Sequence, residues 1–300
     1  MAIEVRELDK YYGSQAALKN VSFSIQDREI VGFLGPNGAG KSTMMKILTG
    51  YIPPDKGYAS INGINVDETS LQLRKQIGYL PEHNPLYHDM YVKEFLSFIS
   101  AVYELKNSDA RIREIIHLTG LEQEKTKKIG ALSKGYRQRV GLAQAIIHDP
   151  SVLILDEPTT GLDPNQLDEI RQLIKNLGKE KTVMLSTHIM QEVEAICDRV
   201  IIINKGEIVA NDRTENLKQN SIKQVVLVEF DKVEIAGLLE QLPGNVLSEQ
   251  TGLNLWKFST TAPEDLRKQI FDLAVKNGLT VLSLSKQEQN MEDVFKRYTN

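Results

Sequence analysis

The stretch from Gly35 to Thr43 constrains this chain more than any other. It reads Gly35, Pro36, Asn37, Gly38, Ala39, Gly40, Lys41, Ser42, Thr43 and fits the spacing G-x-x-x-x-G-K-[ST]. An apolar run, Ile30–Leu34, precedes it and predicts a buried strand. Met44–Leu48 follows and predicts a helix. Glycines let the backbone curl so that successive N–H groups point inward at an anion. A helix N-terminus adds partial positive charge at the same place. The spacing lets Lys41 reach the β- and γ-phosphates of a nucleotide, and lets the Ser42 hydroxyl hold magnesium.

A nucleotide loop does not define an activity, and the next pieces come from the rest of the chain. Val152–Leu155 is an unbroken apolar run ending in Asp156 and Glu157. Such runs read as strands buried on both faces of a parallel sheet. Ligands of open α/β sheets bind beyond the carboxyl ends of the strands. Asp156 is therefore expected beside Ser42 as a metal ligand. Glu157 is expected to face the γ-phosphate and to orient or deprotonate a water. Thr182–Ser186 and Arg199–Ile203 read as further parallel strands, with His188 at the same sheet edge as Glu157. Asp163, Pro164 and Gln166 spell a helix start, and Gly178 is expected to close that helix. Ser133 reads as the N-cap of another helix, which runs to about His148 before Pro150.

Three hundred residues favour two domains. Strands are expected at Ile3–Leu8, Val21–Ile25 and Tyr58–Asn62, with a turn at Asn62-Gly63. Helices are expected over Val92–Tyr103, with Phe95, Phe98, Ile99 and Val102 on one face, and over Asp109–Leu121. Asn204-Lys205-Gly206-Glu207 reads as a hairpin turn, and the polar stretch Asn211–Ser221 as a linker. We place the first domain at residues 1–220, with a helical subdomain at about 83–150, and a second at 221–300. The second shows strands at Val225–Phe230, Val246–Glu249, Leu253–Phe258 and Leu279–Leu284, alternating with helices in an α+β pattern. Trp256 is expected in its core. Net charge is −4, so nothing marks a nucleic-acid partner, and no apolar run is long enough to cross a bilayer. The lone Cys197 reads as a buried filler suited to a reducing cytoplasm.

Taken together, these motifs resemble the ATP-binding subunits of ABC transporters. Ser133-Lys134-Gly135-Tyr136 stands where that family has Ser-Gly-Gly-Gln, about twenty residues before Asp156. Tyr12, before Gly13, matches the aromatic that stacks on adenine. Glu82 occupies the position usually held by glutamine. Gly161-Leu162-Asp163 matches the loop that crosses between subunits, and His188 matches the histidine that contacts the γ-phosphate. The resemblance covers about residues 2–215 and implies an α/β P-loop NTPase cassette with a mixed sheet core, an antiparallel β subdomain and a helical subdomain. The tail through Met291–Phe295 looks like the accessory domain of some bacterial exporter subunits.

The same resemblance implies ATP and Mg2+ as ligands, with Ser42, Glu82 and Asp156 at the metal and Glu157 and His188 at the reaction. It implies a second ATP-binding subunit, expected as a second copy, whose Ser133, Gly135 and Asp163 complete the site. It also implies an integral membrane subunit that keeps the chain on the cytoplasmic face of a cell membrane. The run Glu82–Tyr87 most resembles subunits linked to gliding motility, and also occurs in exporter subunits. Soluble ABC-type ATPases acting on ribosomes or DNA form the rival class. They carry two cassettes or a long coiled-coil insertion, and this chain shows neither.

Overall fold

The computed structural model describes the chain except residues 67–69, 221–223, 233–234, 240, 243–245, 261, 263, 288–294, 296–297 and 300. It comprises two compact units, Met1–Thr214 with Tyr298–Asn300, and Glu215–Arg297. The expected tail motif at Met291–Phe295 lies outside the described residues apart from Phe295.

The first unit opens with a hairpin of β1 (Ile3–Tyr12) and β2 (Gln15–Ile25). After β3 (Ile30–Leu34) and α1 (Lys41–Leu48), β4 (Lys56–Ile61) and β5 (Ile64–Asn65) return to the hairpin. The result is an antiparallel sheet in the order β2-β1-β4-β5. Asn62 and Gly63 both take positive φ, 50° and 75°, which the two-residue turn between β4 and β5 requires. Then come α2 (Leu71–Gln76) and, with no intervening turn, β6 (Ile77–Leu80). α3 (Val92–Val102), α4 (Ser108–Leu118) and α5 (Lys134–Ile146) form the helical subdomain. Next are β7 (Val152–Asp156), α6 (Pro164–Gly178), β8 (Thr182–Thr187), α7 (Met190–Ile196), β9 (Arg199–Asn204) and β10 (Glu207–Arg213); α8 (Thr214–Asn220) follows and from Glu215 on belongs to the second unit.

The main sheet runs β10-β9-β3-β8-β7-β6, parallel except for the edge strand β10. Alternate residues of its central strands, among them Phe33, Ile154, Met184 and Ile201, share one core with Met44, Met45 and Ile47 of α1 and with Leu8, Leu18 and Phe23 of the antiparallel sheet. α1 is thereby held between two sheets, which fixes where the glycine loop sits.

Two expectations are refined and one is corrected. α6 ends at Gly178 as expected, but not through a left-handed glycine: Gly178 takes no positive φ, and Lys179 after it keeps φ −63°. A side chain on Gly178 would run into Ile30, so this glycine lets α6 lie close on the sheet. The stretch Asn211–Ser221, expected as a linker, holds the division between the two units after Thr214, and it is built of the end of β10 followed by α8; Ser221 itself is outside the described residues. On α3 the buried stripe is Val92, Phe95, Leu96 and Ile99, whereas Phe98 and Val102 are exposed.

The second unit contains β11 (Gln224–Phe230), α9 (Ala236–Leu239), β12 (Val246–Gln250), β13 (Leu255–Thr260), α10 (Leu266–Lys276) and β14 (Val281–Gln287). Its sheet order, β12-β13-β11-β14 with every pair antiparallel, is the split βαβ arrangement of ferredoxin-like folds. Val226, Val228, Phe230, Phe258 and Ile270 fill the core, and Trp256 packs against it partly buried.

His148, just beyond α5, stacks on Tyr103 at 3.9 Å and 2°. Its Nε2–H donates to the Ile77 carbonyl at 3.0 Å. Burial pushes its pKa down to about 4, against the raising effect of that bond. The unfolded ring takes up its proton near pH ~6.5, so between that pH and about 4 the unfolded chain binds more protons. Stability from this group is present above the unfolded value and is lost as pH falls through the window. Urea unfolding at about pH 7 and about pH 5 should show a smaller acid loss for His148→Gln than for the natural chain. An equal loss would contradict this role.

Candidate nucleotide-binding and hydrolysis site

Gly40 has φ 111°, and a side chain there would sit 2.6 Å from the Ala17 carbonyl, so glycine alone suits the entry to α1. No side chain caps α1. Its first-turn N–H groups are left for an anion, as the motif demands. Lys41 is buried, and its Nζ donates to the carbonyls of Gly35 at 2.8 Å and Pro36 at 3.3 Å. It lies 3.8 Å from Glu157 Oε1. Burial lowers the Lys41 pKa, while Glu157, Asp156 and Glu82 oppose the shift.

Parallel pairing sets Asp156 beside Ser186. The Ser186 hydroxyl donates to Asp156 and accepts from the Glu157 backbone N–H at 3.1 Å. Glu157 takes a left-handed backbone, φ 50°, which turns its buried carboxylate toward Lys41 and His188. His188 Nδ1 lies 3.0 Å from both carboxylate oxygens, and Thr160 Oγ1 donates to Oε2 at 3.0 Å.

A cleft of about 570 Å³ gathers ten of the residues selected from sequence: Tyr12, Asn37, Gly38, Gly40, Lys41, Ser42, Thr43, Glu82, Glu157 and His188. Gly35, Pro36 and Ala39 build the loop without lining this cleft. Sequence reasoning passed over Gln15, Ala17 and Thr160, which line it too. It also passed over the role of Ser186, although a hydroxyl inside an apolar strand was a visible signal. Asp156 joins Ser42 and Glu82 along an adjoining cleft of about 540 Å³. One hydroxyl and two carboxylates form a hard oxygen set that suits magnesium. Among the described residues no cluster of His, Cys, Asp and Glu would hold a metal unaided.

Ser133, Gly135 and Asp163 do not line the cleft. Ser133 Oγ caps α5 by accepting from Tyr136 N–H at 3.3 Å. Asp163 caps α6 by accepting from Gln166 N–H at 3.0 Å. The Gln166 side chain packs onto Gly135, and Lys134 Nζ approaches Gly161. These three residues therefore form a patch of their own, with a capped helix start at its centre.

A family model described as "ABC transporter" matches residues 18–160. An uncharacterised ABC transporter ATP-binding protein of Bacillus subtilis (strain 168), YxlF, is 34% identical over 98% of this chain and 98% of its own length. The chain belongs to the family of ABC transporter ATP-binding subunits. These subunits bind and hydrolyse ATP, so the chain is an ABC ATPase. The bacitracin transport ATP-binding protein BcrA of Bacillus licheniformis is 33% identical, covering 98% of this chain and 95% of the relative. The Nod factor export ATP-binding protein I of Burkholderia lata is also 33% identical, covering 99% and 96%. Among solved structures, an ATP-binding subunit of an ABC transporter superposes with TM-score 0.67 at 30% identity, over 73% of this chain and 93% of its own. The dimeric ABC transporter cassette MJ0796 gives TM-score 0.65 at 28% identity, over 70% and 98%. The ATPase cassette architecture expected from the motifs is the one these structures share.

Lys41→Ala should weaken ATP binding by about tenfold or more, the worth of a charge-assisted contact. Ser133→Ala should leave binding by dilute, separate copies within about twofold, because Ser133 lies outside the cleft. A fluorescent ATP analogue titrated into each variant reads both, and equal losses would contradict the placement.

Proposed function

We propose that two copies of this chain pair head to tail around ATP and so drive a separate membrane subunit that exports its substrate. The observation that carries this reading is the division of the site. The cleft holds Lys41, Ser42, Glu157 and His188, while the capped helix at Ser133 and the Asp163 loop form another patch of the same unit. A triphosphate in the cleft meets one buried ammonium and several carboxylates. The N–H groups of a second copy's Ser133 helix would supply the missing positive end. ATP then holds the pair together, and hydrolysis turns the bridge into separate anions that repel.

In this reading Tyr12 stacks on the base, and Glu157 accepts a proton from the attacking water. With Nδ1–H donating to Glu157, a neutral His188 has only an acceptor at Nε2. Donation from both nitrogens to carboxylate and phosphate requires the imidazolium. Magnesium held by Ser42 and Asp156, with Glu82 direct or through water, would offset charge on the β- and γ-phosphates. Glu82 adds a carboxylate where the family usually has an amide, which strengthens the need for that cation.

The membrane partner is expected at the adjoining cleft, lined by Tyr51, Tyr79, Pro81, Pro85 and Tyr103, and at nearby exposed Tyr87, Tyr91, Phe98 and Val102. Exposed aromatic clusters of this kind suit a protein partner. Among the described residues no helix is long and apolar enough to cross a membrane, so such a subunit would bring this chain to the cytoplasmic face. A relative named for Nod factor export supports export over gliding motility.

Mixing two inactive variants tests the divided site. Lys41→Ala and Ser133→Ala should each lower turnover by about a hundredfold, the scale of losing one preorganised donor. An equimolar mixture should recover activity, because a mixed pair contains one site with both residues intact. A mixture no faster than its components would contradict the pairing.

A further inference from the structure

Glu192 lies in the first turn of α7 and is completely buried. Among the described residues no Lys, Arg or His pairs with it. Its Oε1 accepts the Thr159 hydroxyl, and its Oε2 accepts the Thr187 hydroxyl at 2.6 Å. These threonines belong to two different strand ends. Thr159 is two residues beyond Glu157, after β7, and Thr187 immediately precedes His188, at the end of β8. Thr187 Oγ1 also accepts the Ile189 N–H at 3.1 Å, which fixes the other side of His188.

The segment after β7 is pinned from the opposite flank as well. Gln138 on α5 is buried and donates from Nε2 to the Pro158 carbonyl at 3.0 Å. Glu157, the residue so enclosed, holds a left-handed backbone, which is uncommon for a residue with a side chain and costs energy that its surroundings offset. Burying a carboxylate without a cation is costly, and an apolar side chain would fill the same space more cheaply. A carboxylate offers what a glutamine does not: two acceptor oxygens at a fixed spacing. Here each oxygen takes a hydroxyl from a different catalytic loop.

We propose that Glu192 is a positioning residue for hydrolysis: through Thr159 and Thr187 it ties the Glu157 loop to the His188 loop and fixes their mutual placement. The proposal rests on the roles given above to Glu157 and His188. Small misplacement of a reacting group far outweighs small losses in binding, so the effect belongs in kcat rather than in nucleotide affinity.

ATP turnover and ATP-binding stoichiometry, measured together in Glu157→Gln, Glu192→Ala, Glu192→Gln, Thr159→Val and Thr187→Val, test it. Glu157→Gln should be inactive while binding ATP. Thr159→Val and Thr187→Val should each lower kcat by about tenfold to a hundredfold, with KM within about twofold. Glu192→Gln, which keeps one acceptor, should outperform Glu192→Ala. Adding Thr159→Val to Glu192→Ala should cost nothing further, since Thr159 acts through the carboxylate. Valine variants with natural kcat, beside an inactive Glu157→Gln, would overturn the positioning role and leave the reading of Glu157 intact. Valine variants that lose only binding-competent protein, with kcat per bound site unchanged, would overturn it equally. A Glu157→Gln that turns over at the natural rate would overturn the underlying reading and this proposal with it. The threonine variants carry the test if Glu192→Ala does not fold.

Discussion

Parallel pairing of β3, β8 and β7 is the constraint on which the rest depends. It brings three strand ends to one edge of the main sheet, and the charged groups of the cleft follow from those ends. Lys41 comes from the loop and helix after β3, Asp156 and Glu157 end or follow β7, and His188 follows β8. A slip of one residue in the register would turn Asp156 away from Ser186 and carry Glu157 to the other face. The apolar runs of these strands, buried on both sides, fix that register from the core outward.

Around Lys41 stand three carboxylates, those of Glu157, Asp156 and Glu82. This excess of negative charge in a partly buried place is poorly matched to a triphosphate. In the proposed pairing, a divalent cation and donors from outside the chain would offset it. The capped helix at Ser133 is a suitable donor, and the same chain places it away from its own cleft. The proposed pairing would thus answer a need of charge balance as well as of shape. The adjoining cleft shares Ser42, Glu82 and Asp156 with the candidate metal ligands and also reaches the exposed aromatic surface of the helical subdomain. A partner seated there would lie within a few residues of the phosphate chemistry, which gives a short physical path from ATP to movement.

Much of this was legible in sequence because the signals are local. The glycine loop, the apolar run ending in Asp156-Glu157, the cap at Asp163 and the turn at Asn62-Gly63 each announce themselves within a few residues. What stayed hidden depends on neighbours distant in sequence. Gly178 looks like a helix stop, yet its purpose is set by Ile30 on another element. Phe98 and Val102 fit a helical apolar stripe, but α4 and α5 cover the stripe beginning at Val92 instead. The polar stretch after β10 holds the division between the units, yet it is helical, as α8, which its composition did not announce. Glu192 gave no sign at all, because a lone acid on a helix is ordinarily solvated. Its two threonine partners arrive from separate strands.

The most direct measurement of the central claim is the mass in solution of a Glu157→Gln chain, by light scattering or sedimentation, with and without magnesium and ATP. The account predicts single copies without nucleotide and a stable pair with it, dissolving again when Ser133→Ala is added to the same chain. A chain that binds ATP with magnesium yet keeps the mass of a single copy would contradict it.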